Sequence, residues 1–228
     1  MTNTIFWNID TQYDFMRDDA SHKGKLPVPG ARGIEENLER LTQYARVNGI
    51  KVVNTADWHT FASKEFSQTP DYVATFPPHC IMHTPGAKFI PATTPVNAYD
   101  VDWRAKDIDE REIHGRRNIT IYKDAFDAFD GNPHTGKIVD LLKPQRAIVY
   151  GVATNYCVDS EVQRLLERGI DVHVVTDAMK AIVTPEGTIP MPTGRFYGSV
   201  EEFMNREWRA KGVHLETTLS VERLLAGR

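Results

Sequence analysis

The chain has 228 residues, of which 41% are hydrophobic and 25% charged, and it carries a net charge of −4. That length suits one α/β domain over residues 1–228 better than two small ones. A mildly acidic chain has no basic field for a nucleic-acid backbone, and no apolar stretch approaches the length of a membrane span, so neither partner is expected. Met1-Thr2-Asn3 leads straight into strand-like residues with no signal peptide, which makes cytoplasmic residence the expectation.

In chain order, residues 4–10 form the first short apolar run that ends on a polar side chain, the pattern of a buried strand. Ile34, Leu38, Leu41 and Ala45 follow at spacings of four, three and four, which places them on one face of a helix. Residues 51–57 give the second strand. Residues 60–115 hold many prolines and aromatics with little periodicity and read as a long functional loop followed by a polar surface segment. Residues 118–123 and 147–152 give the third and fourth strands. Val158, Val162, Leu165 and Leu166 then repeat the helical spacing until Gly169 stops it. A fifth strand over 172–176, an irregular loop over 183–197 and a weaker sixth strand over 213–219 complete the chain.

Strands that alternate with helices imply an α/β fold: a three-layer α/β/α arrangement around a mostly parallel, doubly wound, Rossmann-like sheet of about six strands. Ligands of such sheets bind at the carboxyl ends of the strands. Asp10, Asp57 and Lys123 end the first three strands and Cys157 follows the fourth, so all four converge on one rim. At a helix start Cys157 meets unpaired backbone N–H groups that favour thiolate, although free cysteines are often only buried core. With Asp10 as proton acceptor and Lys123 as neighbouring charge, it becomes a candidate nucleophile. Cys80 is the second cysteine; a reduced compartment argues for two free thiols.

Asp57-Trp58-His59 aims a carboxylate and an imidazole to the same side of an extended chain, and the prolines of Phe76-Pro77-Pro78-His79-Cys80 fix where the second imidazole points. An Asp-x-His pair alone is common without metal; two imidazoles and a carboxylate brought to one point would suit zinc, manganese or iron and leave open positions. Phe15, Trp58, Phe76, Phe126 and Phe129 lie close to these residues and are candidates for the apolar walls of a small-molecule pocket.

Ile9-Asp10-Thr11-Gln12-Tyr13-Asp14-Phe15, Lys123 and Gly151-Val152-Ala153-Thr154-Asn155-Tyr156-Cys157-Val158 together resemble the isochorismatase-like cysteine hydrolase superfamily, over about residues 4 to 180. The resemblance implies a catalytic triad of Asp10, Lys123 and Cys157, a cis Val152–Ala153 bond, and an oxyanion hole built from the Ala153 and Cys157 N–H groups. The Asp57-Trp58-His59 and Phe76-to-Cys80 blocks, with Thr84-Pro85-Gly86-Ala87, resemble the nicotinamidase branch. That branch implies one divalent metal, zinc first, held by Asp57, His59 and His79, with Glu65 where some members carry a fourth ligand. His83 is the competing imidazole and is expected on the loop surface or near the pocket mouth. The implied activity is release of ammonia from a small amide, nicotinamide to nicotinate, through a thioester, in a homo-oligomer. The segment Asp124-Ala125-Phe126-Asp127-Ala128-Phe129-Asp130 departs from the tyrosine- and serine-rich stretch usual there and is expected to change polarity on that side of the pocket. The other readings are a metal-independent N-carbamoyl or ureido amidohydrolase on the same fold, and a catalytically silent binding protein.

Overall fold

The apolar runs become the strands of one sheet in the computed structural model, which describes residues 2–20 and 22–227. In chain order these are β1 (Thr4–Ile9), β2 (Lys51–Asp57), β3 (Tyr99–Val101), β4 (Asn118–Lys123), β5 (Arg146–Val152), β6 (Asp171–Lys180) and β7 (His214–Glu216). They lie in the order β7-β6-β5-β1-β2-β4-β3, and every neighbouring pair is parallel. Parallel strands need crossover connections, which here carry α1 (Glu35–Val47), α2 (Glu110–Gly115), α3 (Thr135–Leu142) and α4 (Asp159–Glu167), while α5 (Thr218–Ala226) follows the last strand. Helices cover both sides of the sheet, with α1 packed on α5 and α2 on α3. All of β1 is buried, and nearly all of β2 and β5, which is why these runs are apolar without alternation.

The sheet has seven strands where the sequence implies about six. The additional one, β3, is a three-residue edge strand, Tyr-Asp-Val, too short to carry a period. It lies within residues 60–115, which read as a loop and a polar segment but also contain α2. Residues 183–197 likewise contain a small antiparallel ribbon, Ile189–Pro190 with Phe196–Tyr197. The weak sixth run over 213–219 divides: β7 ends at Glu216, and α5 begins after Thr217, whose side chain accepts from Ser220 N–H while Ser220 Oγ accepts from Thr217 N–H.

The chain leaves the middle of the sheet in both directions from β1, toward β2 and toward β5, so the switch point of this topology lies between β1 and β5. Gly151 makes that pairing close. It sits opposite Ile9 at φ +124°, and a Cβ there would fall 2.1 Å from the Ile9 carbonyl oxygen. The Val152–Ala153 peptide bond is cis. Beyond it Thr154–Val158 form a wide π-type turn before α4, so Cys157 sits within that turn and not at an ordinary α-helical first position. Both cysteines are free and buried. Among the described residues no helix is long and apolar enough to cross a membrane.

Candidate active site

Asp10, Lys123 and Cys157 meet where β1, β4 and β5 end. Asp10 turns the chain out of β1 in a left-handed conformation, φ +49°, which aspartate tolerates better than most residues. Its Oδ1 accepts from Thr55 Oγ1 at 2.8 Å and its Oδ2 lies 2.9 Å from Lys123 Nζ. The ammonium also donates to Asp57 Oδ1, to the Ala125 carbonyl at 3.2 Å and toward Cys157 Sγ at 3.9 Å. Lys123 can reach so many partners because β2 and β4 pair in the register that sets it beside Asp57.

Burial and charge act against each other here. Burial works against the Lys123 ammonium, but Asp10 and Asp57 hold its pKa well above the ordinary lysine value. Burial would also raise Asp57, yet Lys123 and His59 hold that carboxyl well below the usual range. Asp10 goes the other way: burial pushes it up, opposed by Lys123 and aided by Asp57. Burial likewise pushes the Cys157 thiol well up; Lys123 opposes this, while Asp10 and Asp57 reinforce it. Burial thus works against the thiolate that a helix start would favour, while the Lys123 ammonium beside the sulfur works for it. Glu161, one helical turn beyond Cys157, is fully buried and accepts from the Trp7 indole N–H. Burial first, then Asp10, push its carboxyl well up, while Lys123 and the Trp7 indole oppose this.

Asp57 joins this group to a second one. Its Oδ2 lies 3.3 Å from His79 Nε2 and 3.5 Å from His59 Nε2, and the ligand atoms of the three residues fall within 4.8 Å of one another. Each imidazole has its far nitrogen occupied: His79 Nδ1 lies 2.8 Å from the Pro77 carbonyl and His59 Nδ1 lies 2.9 Å from Asp124 Oδ1. Carbonyl and carboxylate both accept, so each Nδ1 carries a proton and Nε2 is the atom turned toward the cluster, the arrangement that metal-binding histidines use. His59 Nε2 is buried with no hydrogen-bond partner among the described residues. Burial works against a charge on His59, but Asp57 and Asp124 push its pKa up to about 9, which shows how strongly this point attracts a cation. Glu65 stands at the margin: Oε1 accepts from Phe126 N–H at 2.7 Å and Oε2 lies 3.9 Å from His59 Nε2.

A narrow crevice opens over both groups. Phe15, Phe76 and Phe126 line it with Ala153, Tyr156 and Cys157, and its free volume is about 30 Å³. Phe15 and Phe76 also pack against the His79 ring, with centroids 5.2 and 6.1 Å away. The two remaining aromatic candidates lie elsewhere. Trp58 packs on Tyr122 and His83 in a separate depression, because the strand alternation that brings Asp57 and His59 to one side sends it to the other. Phe129 stacks on Trp7 beneath the Arg168 guanidinium. The aspartates of the 124–130 segment do not make the pocket acidic: Asp124 turns to His59, and Asp127 and Asp130 both pair with Arg164. A larger cavity of about 650 Å³ lies near Arg46, Gly49 and Asn118, at the opposite end of the strands, and holds none of these groups.

The isochorismatase domain profile matches residues 4–187. The chain belongs to the isochorismatase family. It is 29% identical over 189 residues to the nicotinamidase/pyrazinamidase of Mycobacterium tuberculosis, covering 79% of this chain and 88% of that one. It is 28% identical over 191 residues to the nicotinamidase of Escherichia coli, covering 76% and 81%. Among solved structures it resembles the pyrazinamidase of Pyrococcus horikoshii in complex with zinc, at 25% identity and TM-score 0.66, covering 94% of this chain and 99% of that one. With these relatives, this member of the isochorismatase family is a hydrolase.

Several residues that shape this isochorismatase-family site have no sequence signal. The Gln12 side chain forms a paired bridge to the backbone of Asp57, accepting from its N–H at 2.8 Å and donating to its carbonyl at 2.7 Å. It thereby fixes the carboxylate that faces both groups. Asp124 and Glu161 act as described above, and Leu26, Val28 and Ile182 add apolar wall from distant segments. Only Asp124 could have been suspected, as a carboxylate next to the strand-end lysine.

Proposed function

We propose that this chain hydrolyses a small heteroaromatic carboxamide, nicotinamide to nicotinate in the first instance, with release of ammonia through a thioester on Cys157. The observation that carries the reading is the meeting of a buried thiol, acid and ammonium at one crevice floor. Asp10, with its raised affinity for protons, takes the Cys157 proton as sulfur attacks the amide carbon. The carbonyl π electrons move onto oxygen, where the Ala153 and Cys157 N–H groups hold them; loss of one such donor typically costs about 3 kcal/mol. Collapse of the intermediate breaks the C–N bond, and Asp10 returns its proton to the departing nitrogen. Water then adds to the thioester, Asp10 accepts a proton from it, and sulfur leaves with that proton to restore the thiol. Lys123 keeps its charge throughout and offsets the negative charge that passes between Cys157 and Asp10.

The inward-facing Nε2 atoms of His59 and His79 with Asp57 fit one divalent ion, zinc first with manganese or iron as alternatives, and Glu65 is the candidate additional ligand. Such an ion would offer an open coordination position to a ring nitrogen and so orient the carboxamide. Phe15, Phe76 and Phe126 supply the flat apolar walls for the ring.

The test is ammonia release from nicotinamide, pyrazinamide and an N-carbamoyl compound, with Cys157→Ala as control. Turnover of the two heteroaromatic amides, lost at least a thousandfold in the variant, is expected. Turnover of the ureido compound alone would keep the chemistry and move the substrate. Turnover that survives Cys157→Ala removes the mechanism.

A further inference from the structure

A second histidine–carboxylate cluster lies at the other end of the sheet, where β6 begins and β7 pairs with it. His173 and His214 are cross-strand register partners, so their imidazoles stack face to face with centroids 4.3 Å apart and planes 16° from parallel. Asp171, two residues before His173 on the same side of β6, directs one oxygen to each ring. Its Oδ2 lies 3.1 Å from His173 Nε2 and its Oδ1 lies 3.2 Å from His214 Nε2. The three ligand atoms fall within 4.8 Å of one another. His173 is 4% exposed, while His214 stands open to solvent, so the cluster has one buried wall and one open side.

The second observation is what holds the buried imidazole. His173 Nδ1 lies 3.0 Å from Glu216 Oε1, and Glu216 Oε2 is in turn held by Ser220 Oγ. A carboxylate on Nδ1 puts the proton there and turns the Nε2 lone pair toward Asp171, as at the 57–59–79 cluster. Two acceptors then face each other at hydrogen-bond distance, an arrangement that a cation shared between them satisfies. The charge count agrees: the Asp171 and Glu216 carboxylates face one guanidinium, Arg146, whose Nε is 3.0 Å from Asp171 Oδ2.

The geometry points to a surface site for a borderline divalent transition metal, zinc or a similar ion, ligated by His173 Nε2, His214 Nε2 and Asp171, with Glu216 orienting His173. Water fills the remaining positions on the exposed side. An ion there ties the short edge strand β7, and the start of α5 behind it, to β6. The donor set is that of zinc sites, and ligation by residues from two strands makes binding depend on the folded edge. The inference does not depend on the activity proposed above.

Metal-stripped protein is dialysed against zinc chloride and bound zinc per chain is measured by mass spectrometry, for the wild type, His214→Ala, Glu216→Gln and His79→Ala. His214 is exposed, so its replacement leaves the fold in place. His214→Ala is expected to remove one equivalent of zinc. Glu216→Gln is expected to weaken that same equivalent about 10–100-fold through the loss of its hold on His173. The zinc-dependent rise in Tm should shrink in both. A zinc count and Tm rise unchanged by His214→Ala overturn the inference. His79→Ala reports separately on the other cluster: an equivalent lost in His79→Ala alone leaves that reading standing and sinks this one, and an equivalent lost in His214→Ala alone does the reverse.

Discussion

Asp57 faces two demands at once: one oxygen neutralises Lys123, and the other faces His59 and His79. His59 records the result, since with no metal bound its carboxylate neighbours push it up to about 9 from an ordinary 6.5. The sign follows from that elevation. A histidine whose folded pKa is raised contributes stability that is fully present below pH 6.5 and is lost as pH climbs through 9. Metal-free protein should therefore lose about 3 kcal/mol at most between pH 6.5 and 9 in denaturant titrations. With zinc bound in place of the proton, that slope should vanish. Asp124→Ala should flatten the slope in the metal-free protein and weaken zinc about 10–100-fold, because Asp124 both raises His59 and fixes its tautomer. An unchanged slope in Asp124→Ala would show that His59 is not the group that titrates. Asp57, His59 and His79 were picked out by the resemblance of their two sequence blocks, with strand alternation and neighbouring prolines as supporting local signals. Asp124 and Gln12 were not assigned, since their partners lie 65 and 45 residues away in sequence, and the neighbouring lysine is the one local hint for Asp124. Trp58 shows the same limit: its nearness in sequence to the metal residues said nothing about which side of β2 it would take.

The strand elements that carry the site are those the sequence shows best, because burial on both faces writes itself as an unbroken apolar run. β1, β2, β4 and β5 came through with ends within a residue, and they are the strands that deliver Asp10, Asp57, Lys123 and Cys157. What the pattern could not show is the short and the sideways: three-residue β3 at the edge, α3 with its single buried face, and the wide turn that seats Cys157. Gly151 is where element geometry decides site geometry. Its φ of +124° lies outside what an L side chain adopts readily, and a methyl group would collide with the Ile9 carbonyl at 2.1 Å. Gly151→Ala must separate β5 from β1 or twist the strand end, and either movement draws Cys157 away from Asp10. We expect a loss of more than about 2 kcal/mol in denaturant unfolding. Any folded fraction should show a more than tenfold fall in alkylation selectivity between Cys157 and buried Cys80. A variant with wild-type stability and wild-type Cys157 reactivity would show that this close approach does not position the sulfur.

At the scale of the whole molecule, the catalytic rim is built by the centre of the sheet, and access to it is governed by a distant loop. The crevice volume of about 30 Å³ is far below the roughly 300 Å³ at the low end of small-molecule sites, so a ring can enter only if a wall moves. One wall is carried by the segment between Glu65 and Phe76. It is closed at its base by Phe76 N–H to the Glu65 carbonyl at 2.6 Å and Ser67 N–H to the Phe76 carbonyl at 3.0 Å. Its tip is folded on itself, with Asp71 Oδ1 accepting from the N–H groups of Val73, Ala74 and Thr75. Beyond its own turns, the tip is tied down by the Tyr156 hydroxyl, which donates to the Tyr72 carbonyl at 2.7 Å from the residue beside Cys157. Removing that bond costs the closed form about 1 kcal/mol, which corresponds to about a fivefold larger open population. Tyr156→Phe keeps the ring that packs on Phe76 at 5.7 Å and deletes only the tie. Amide hydrogen exchange over residues 70–76 should therefore quicken about fivefold while exchange in β1 and β5 stays as it was. KM for the amide should shift by a similar factor, and the rate of Cys157 acylation from the bound state should not change. If exchange over 70–76 is unaltered, the tip is held by its own turns and the crevice must open elsewhere, at Leu26 or Ile182.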